Sequence, residues 1–327
     1  MTKFILLPAF LILSSPLLSA AGPKVKMTQP DFTKGDSIPS GATHDWNLGS
    51  TGARGWMFSE KMETSTARQI AITKVAPDSP ADGPLKVGDV ILGVGGKKFS
   101  YDPRTEFAKA LTVAENKSGL LKVLRWRDGK SATVSLNLTV LGSYSLTAPY
   151  NCAKSKRILE RGCEQLAEKM SNSVNRRQNP IIRSLNALAL LASGNKTYLR
   201  IVKEEAEWAS NYKAESMATW YYGYAITLLA EYTMATGDRS FLPGLKRLAF
   251  EASEGQSIVG SWGHKFAGED GRLVGYGMMN APGLTLTNSL ILAQKAGITD
   301  PKIRIAIERS TKLLRFYIGK GAVPYGD

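Results

Sequence analysis

Apolar and polar positions along the chain follow two different periods. From about 50 to 141 the runs are short and alternate as strands do. Gln69–Val75, Asp89–Val94, Leu120–Arg127 and Ser131–Leu138 are rich in β-formers and bounded by turn residues. Asp128-Gly129 predicts a hairpin between the last two. One helix interrupts the strands: Asp102 can cap it, Pro103 suits its first turn, and Phe107, Leu111 and Ala114 recur on one face. From about 151 the period becomes helical. It predicts seven helices, over 153–170, 179–193, 197–211, 217–235, 240–253, 284–296 and 301–318.

The helical part echoes itself. ALALLASGN (187–195), LLAEYTMATGD (228–238) and LILAQKAGITD (290–300) each end an Ala/Leu helix on a glycine, the usual helix stop. Gly194 to Gly237 is 43 residues, the length of one helical-hairpin repeat. Gly237 to Gly297 is 60, and the extra residues fall in the glycine-rich 255–283, which reads as an inserted loop on one rim.

The first 21 residues have Lys3, an apolar stretch from Phe4 to Leu13 and small residues Ser19, Ala20 and Ala21. This is the pattern of a secretory signal cleaved after Ala20 or Ala21, and the mature chain is expected to be secreted or periplasmic. Residues 22–49 read as a linker, 50–142 as the strand domain and 150–327 as the helical domain. No later segment is apolar enough to predict a membrane span.

Composition narrows the function. Hydrophobic residues are 43% and charged residues 21%, enough for a real core. Two cysteines and two histidines argue against a metal centre, and no cofactor is implied. Cys152 and Cys163 within one helix would stand about 16 Å apart, beyond disulfide reach; a helix starting after Cys152 would allow pairing. The net charge of +14 is spread out, with only short pairs such as Arg176–Arg177 and Lys97–Lys98. That dispersal and the export signal argue against a nucleic-acid partner and leave anionic polysaccharide as a weaker one. G-x-S-x-G and H-E-x-x-H are absent, so protease chemistry is disfavoured.

GARGWMF (52–58) and VAPDSPADGPLKVGDVILGVGGKKF (75–99) resemble a bacterial PDZ domain. The resemblance implies a groove between a strand and a helix that captures C-terminal or extended peptides by β-augmentation. Its carboxylate nest would be the backbone N–H groups of Arg54, Gly55 and Trp56. Met57, Phe58, Phe107 and Leu111 would line the pocket. The helical region, with its Ala/Leu helix ends and the Gly-Ser-Trp-Gly turn at 260–263, looks like an α/α toroid of the terpenoid-cyclase type. The set WNLGSTGARGWMF (46–58), NCAKSKRILERGCEQLA (151–167), GSWGHKFAG (260–268) and GKGAVPYGD (319–327) is similar to uncharacterised exported bacterial proteins that join these two domains.

The expected fold is therefore α+β and multidomain: a small PDZ-like β-barrel with a helix, then a toroid-like helical domain. Seven helices fall short of a closed ring. Leu313, Leu314, Phe316, Tyr317 and Ile318 lack a following partner, so the helical domain is expected to be truncated.

Reactive residue types converge in the inserted loop. His264, Asp270 and Tyr276, near Glu269, are candidates for acid–base work. Trp262, Trp220 and Tyr222 are candidates for ligand stacking, with Tyr221 and Tyr224 nearby. The blander alternative makes Trp262 a plug and the aromatic cluster core packing. The leading expectation is an exported binding and scaffolding protein; the alternative is a polysaccharide- or polymer-processing enzyme.

Overall fold

A computed structural model describes residues 28–172, 178–213 and 218–326. The expected leader with its cleavage site, and the Arg176–Arg177 pair, lie outside them. The chain divides into two units, the first ending at Ser143 and the second beginning at Tyr144.

The first unit is one antiparallel sheet and one helix. Its strands are β1 (Trp46–Asn47), β2 (Ala53–Trp56), β3 (Ile70–Val75), β4 (Val90–Val94), β5 (Lys97–Lys98), β6 (Leu120–Arg127) and β7 (Lys130–Asn137), and its helix is α1 (Pro103–Asn116). The sheet order is β1-β2-β3-β4-β6-β7, with β5 paired to β4. The four strand runs read from the sequence correspond to β3, β4, β6 and β7. The β6–β7 hairpin closes Arg127 against Lys130, with positive φ at both Asp128 and Gly129, as a primed turn requires. Asp102 caps α1 by accepting from Arg104 N–H and from Thr64 Oγ1–H. Helix α1 packs on β4 and β6. The core between them includes Trp56, Met57, Ile70, Ile72, Ile91, Phe107, Val123 and Leu136.

The second unit is helical: α2 (Ala153–Ser171), α3 (Pro180–Ala192), α4 (Leu199–Ser210), α5 (Ala218–Thr236), α6 (Leu242–Glu254), α7 (Asn280–Lys295) and α8 (Pro301–Leu314). All seven expected helices are present, with shifted ends. Alternate helices are neighbours. Helix α5 packs between α3 and α7, while α4 and α6 meet, as do α6 and α8, outside them. This makes two layers, with α3, α5 and α7 in one and α2, α4, α6 and α8 in the other. The sequence of α5 follows from its place. Ala225, Ile226, Leu228, Leu229 and Ala230 are all buried, because a helix packed on both sides has little face to leave polar. The three helix stops work as expected: Gly194, Gly237 and Gly297 all take positive φ.

Helix α7 begins four residues before the sequence suggests. Pro282 falls in its first turn, where a missing N–H costs nothing. The last helix ends at Leu314 and passes into a 3₁₀ turn over Arg315–Tyr317. Phe316 and Ile318 are exposed. The segment beyond folds back on α7: Tyr325 O accepts from Asn280 N–H and Ala281 N–H, and Gly326 bridges Met279. Cys152 and Cys163 are both free thiols; the former sits at the N-cap of α2 and the latter inside it. Among the described residues, no helix is long and apolar enough to cross a membrane.

Candidate functional site

In the first unit the site is the space between β2 and α1. A loop bridges β1 and β2 over residues 48–52, and Gly49 and Gly52 both have positive φ. At Gly52 a Cβ would stand 2.2 Å from Ser79 Cβ, so the loop lies flat on the Ser79-Pro80-Ala81 turn. Ala81 N–H donates to Thr51 O, and Ala76 N–H to Gly52 O. The SPA stretch of the PDZ resemblance is thus the seat of this loop.

The expected carboxylate nest is not where the resemblance placed it. Arg54, Gly55 and Trp56 belong to strand β2; all three pair with β3 on one edge, and Arg54 and Gly55 pair with β1 on the other. Strand pairing consumes the backbone edge that a nest would need. The left-handed positions that orient backbone groups lie earlier, at Gly49 and Gly52. Met57, Phe58 and Phe107 are core residues. Leu111 is half-buried, and its side chain packs over Gly49.

The groove exists, and the chain's own residues 46–51 lie in it. Trp46 and Asn47 run antiparallel on the edge of β2. Arg104, at the start of α1, stacks over Trp46. Leu48 is buried and faces Gly55. Ser50 Oγ–H donates to Glu115 near the end of α1 at 2.7 Å. The segment therefore runs along the helix: Trp46 and Asn47 lie on the edge of β2 as a peptide added by β-augmentation would, and Gly49–Thr51 form a 3₁₀ turn toward the end of α1. Asp45 anchors it. Arg54 Nε–H donates to Asp45 Oδ1 and Thr73 Oγ1–H to Oδ2, and the Arg54 hydrogen bonds hold the Asp45 carboxyl below its usual range. Sequence reasoning assigned residues 22–49 to a linker because two strand residues give no period to read.

In the second unit the inserted loop is pinned to the first turn of α5. Thr219 Oγ1–H bonds to Gly263 O and His264 O. Trp220 Nε1–H donates to His264 Nδ1 at 3.1 Å. Tyr276 meets His264 edge-on and Tyr325 lies beside Trp220. The structure thus brings Trp220, His264 and Tyr276 together and adds Tyr325, whose approach from the far end no local pattern announces. Asp270 serves a turn instead, accepting from Arg272 N–H.

Two stacking candidates are corrected. Trp262 is fully buried and donates to Ala252 O, so it plugs the core and offers no face to a ligand. Tyr222 is buried too, with its hydroxyl bonded to Glu251. It lines a cavity of about 1030 Å³ with Arg247, Glu251, Phe266 and Glu269. Among the described residues, no group of three or more His, Cys, Asp or Glu is placed to hold a metal ion.

A family model of the PDZ domain matches residues 47–121, from the segment in the groove to the start of β6. The model of a domain of unknown function, DUF6288, matches residues 155–327, more than half of the chain. No curated protein and no solved structure matches the chain.

Proposed function

The chain belongs to the DUF6288 family, and from that premise we propose that it is an exported binding and scaffolding protein. Its PDZ domain captures extended peptides or C-terminal tails, and its helical domain presents a concave surface to a second ligand. The observation that carries the first half is the groove itself: it accommodates an extended chain antiparallel to β2 and already contains one. The resident strand is only two residues long, and a partner peptide takes its place on the β2 edge. Export rests on the signal-like pattern of residues 1–21.

The concave surface is supported by the two-layer order of the helices, which an α/α arc would also have. The layer of α3, α5 and α7 carries exposed apolar side chains at Ile182, Leu185 and Leu284, which a second ligand would cover. We assign this unit binding rather than catalysis because His264 spends its Nδ1 lone pair on Trp220. The test is a peptide array read with free and amidated C-termini. Preference for free tails assigns the groove to C-terminal capture and equal binding assigns it to internal extended segments; absent binding to every peptide overturns the reading.

A further inference from the structure

The Trp220–His264 pair carries an inference that is independent of the peptide-binding reading. The two rings are joined edge to edge by the indole N–H, and their planes differ by only 30°. They form one flat shelf roughly two rings wide. Because Nδ1 accepts, the neutral imidazole carries its proton on Nε2, at the far side of the ring. Tyr276 stands at 77° to His264 with centroids 5.7 Å apart and forms a wall. Tyr325 stacks beside Trp220 with centroids 6.5 Å apart and planes at 30°.

The shelf is held in place, with Trp220 and His264 half-buried. Thr219 fixes its loop, and the bridges of Met279 to Trp262 and Gly326 fix its floor and tail. Yet Tyr276 is 82% and Tyr325 62% exposed. Two aromatic side chains thus stand in water beside a hydrogen-bonded pair of rings.

We infer that this shelf binds a pyranose ring of a glycan. An aromatic face is electron-rich and attracts the C–H groups on the apolar side of a sugar ring. A sugar also needs polar partners at its rim, and the shelf supplies His264 Nε2–H and the hydroxyls of Tyr276 and Tyr325. A quaternary ammonium ion also seeks aromatic faces. The shelf is one-sided, however, and a chain of net charge +14 repels a cation and favours a neutral or anionic sugar.

The experiment titrates the full chain calorimetrically with cellohexaose, hexagalacturonate and tetramethylammonium. Binding of either hexasaccharide is expected, and its identity separates a neutral from an anionic glycan. Trp220→Ala and Tyr276→Ala should each weaken it about ten-fold, the scale of one lost aromatic contact. His264→Phe keeps a ring but loses the donor and should also weaken it. Tyr276 is exposed, so Tyr276→Ala should melt as the parent does and guards against misfolding of the Trp220 variant. No hexasaccharide binding at millimolar concentration, binding untouched by Tyr276→Ala, or preference for tetramethylammonium overturns the inference.

Discussion

Arg54 grips Asp45 twice: Nε–H donates to Oδ1 at 2.7 Å, and Nη2–H donates to the backbone oxygen at 3.0 Å. The grip ties the segment that lies in the groove to the strand that would receive a peptide. A groove that is mostly filled binds ligand with an affinity reduced by the fraction that is open. Trp46→Ala removes the contact with Arg104 and weakens the resident strand. Free-tail peptides should then bind at least about three-fold tighter by fluorescence polarisation. Unchanged affinity would mean that the peptide sits elsewhere and that residues 46–51 are a permanent part of the sheet.

The same anchor has a pH signature. Hydrogen bonds from Arg54 hold the Asp45 carboxyl below its usual value, against a smaller opposing effect of burial. A group with a lowered folded pKa stabilises the fold fully above its unfolded pKa, about 3.9 for Asp. That stability is lost as pH falls through the lowered value. The resident strand should therefore stay in place from neutral pH down to about 4 and loosen below it. Hydrogen exchange at Trp46–Leu48 measures this. Asp45→Asn should exchange fast at every pH and show no step.

Much of this architecture was legible because it repeats or because its turns have fixed chemistry. The 3.6-residue period marked every helix of the second unit, and Gly194, Gly237 and Gly297 stop three of them with left-handed backbone, as written in their sequence. Asp128-Gly129 announced its hairpin for the same reason. What was not legible is non-local. Trp46 and Asn47 become a strand only because β2 is there to pair with them. Tyr325 joins Trp220 from 105 residues away, a distance that no window spans. The nest was misplaced because the sequence does not say whether Arg54–Trp56 ends a loop or forms a strand; β3 decides that.

Cys152 should be the reactive thiol. It is the N-cap residue of α2 and lines a cavity of about 560 Å³ with Pro149, Ser155 and Leu159. Its thiol is brought down to about 6, first by the Ser155 side chain and then by the backbone N–H groups of Ser145 and Ser155. Iodoacetamide labelling should rise through a midpoint near pH 6 at Cys152. Both thiols are buried, but Cys152 borders that cavity whereas Cys163 packs among core side chains of the helical unit and should label more slowly. Ser155→Ala should move the Cys152 midpoint up toward the ordinary thiol range. A midpoint already in that range in the parent would refute the assignment.

Trp262 and His264, two residues apart, should behave oppositely. Trp262 is fully buried and its indole N–H is spent on Ala252 O. Trp262→Ala opens a cavity and leaves that carbonyl without its donor, at a cost of about 3–5 kcal/mol. His264 lies near the surface of the loop, and His264→Ala should cost about 1 kcal/mol or less. Hydrogen exchange in Ala218–Thr236 and Leu242–Glu254, which reads the helical unit alone, distinguishes the two. A small loss at Trp262 would contradict the plug assignment.

The strongest electrostatic dependence of the first unit should lie in Asp89 and Arg127. Asp89, from the GD step of the PDZ-like stretch, is fully buried. Arg127 Nε–H and Nη2–H donate to its two oxygens at 2.5 and 2.7 Å, and Lys86 N–H donates to Oδ2. This fork satisfies both oxygens of a carboxylate that has no access to water. It also joins the start of β4 to the end of β6, next to the turn that carries β7. Removing one partner of a buried pair is worse than removing both, because the survivor keeps its desolvation cost. Arg127→Ala should therefore destabilise this unit by about 3–5 kcal/mol. Arg127→Lys keeps the charge without the planar fork and should lose less. The double variant Asp89→Asn/Arg127→Met should recover part of the loss. Because the chain has two units, one melting temperature would mix them. Hydrogen exchange in Val90–Val94 and Leu120–Arg127 reads the first unit alone. A loss below about 1 kcal/mol in Arg127→Ala would show that Asp89 does not depend on its partner.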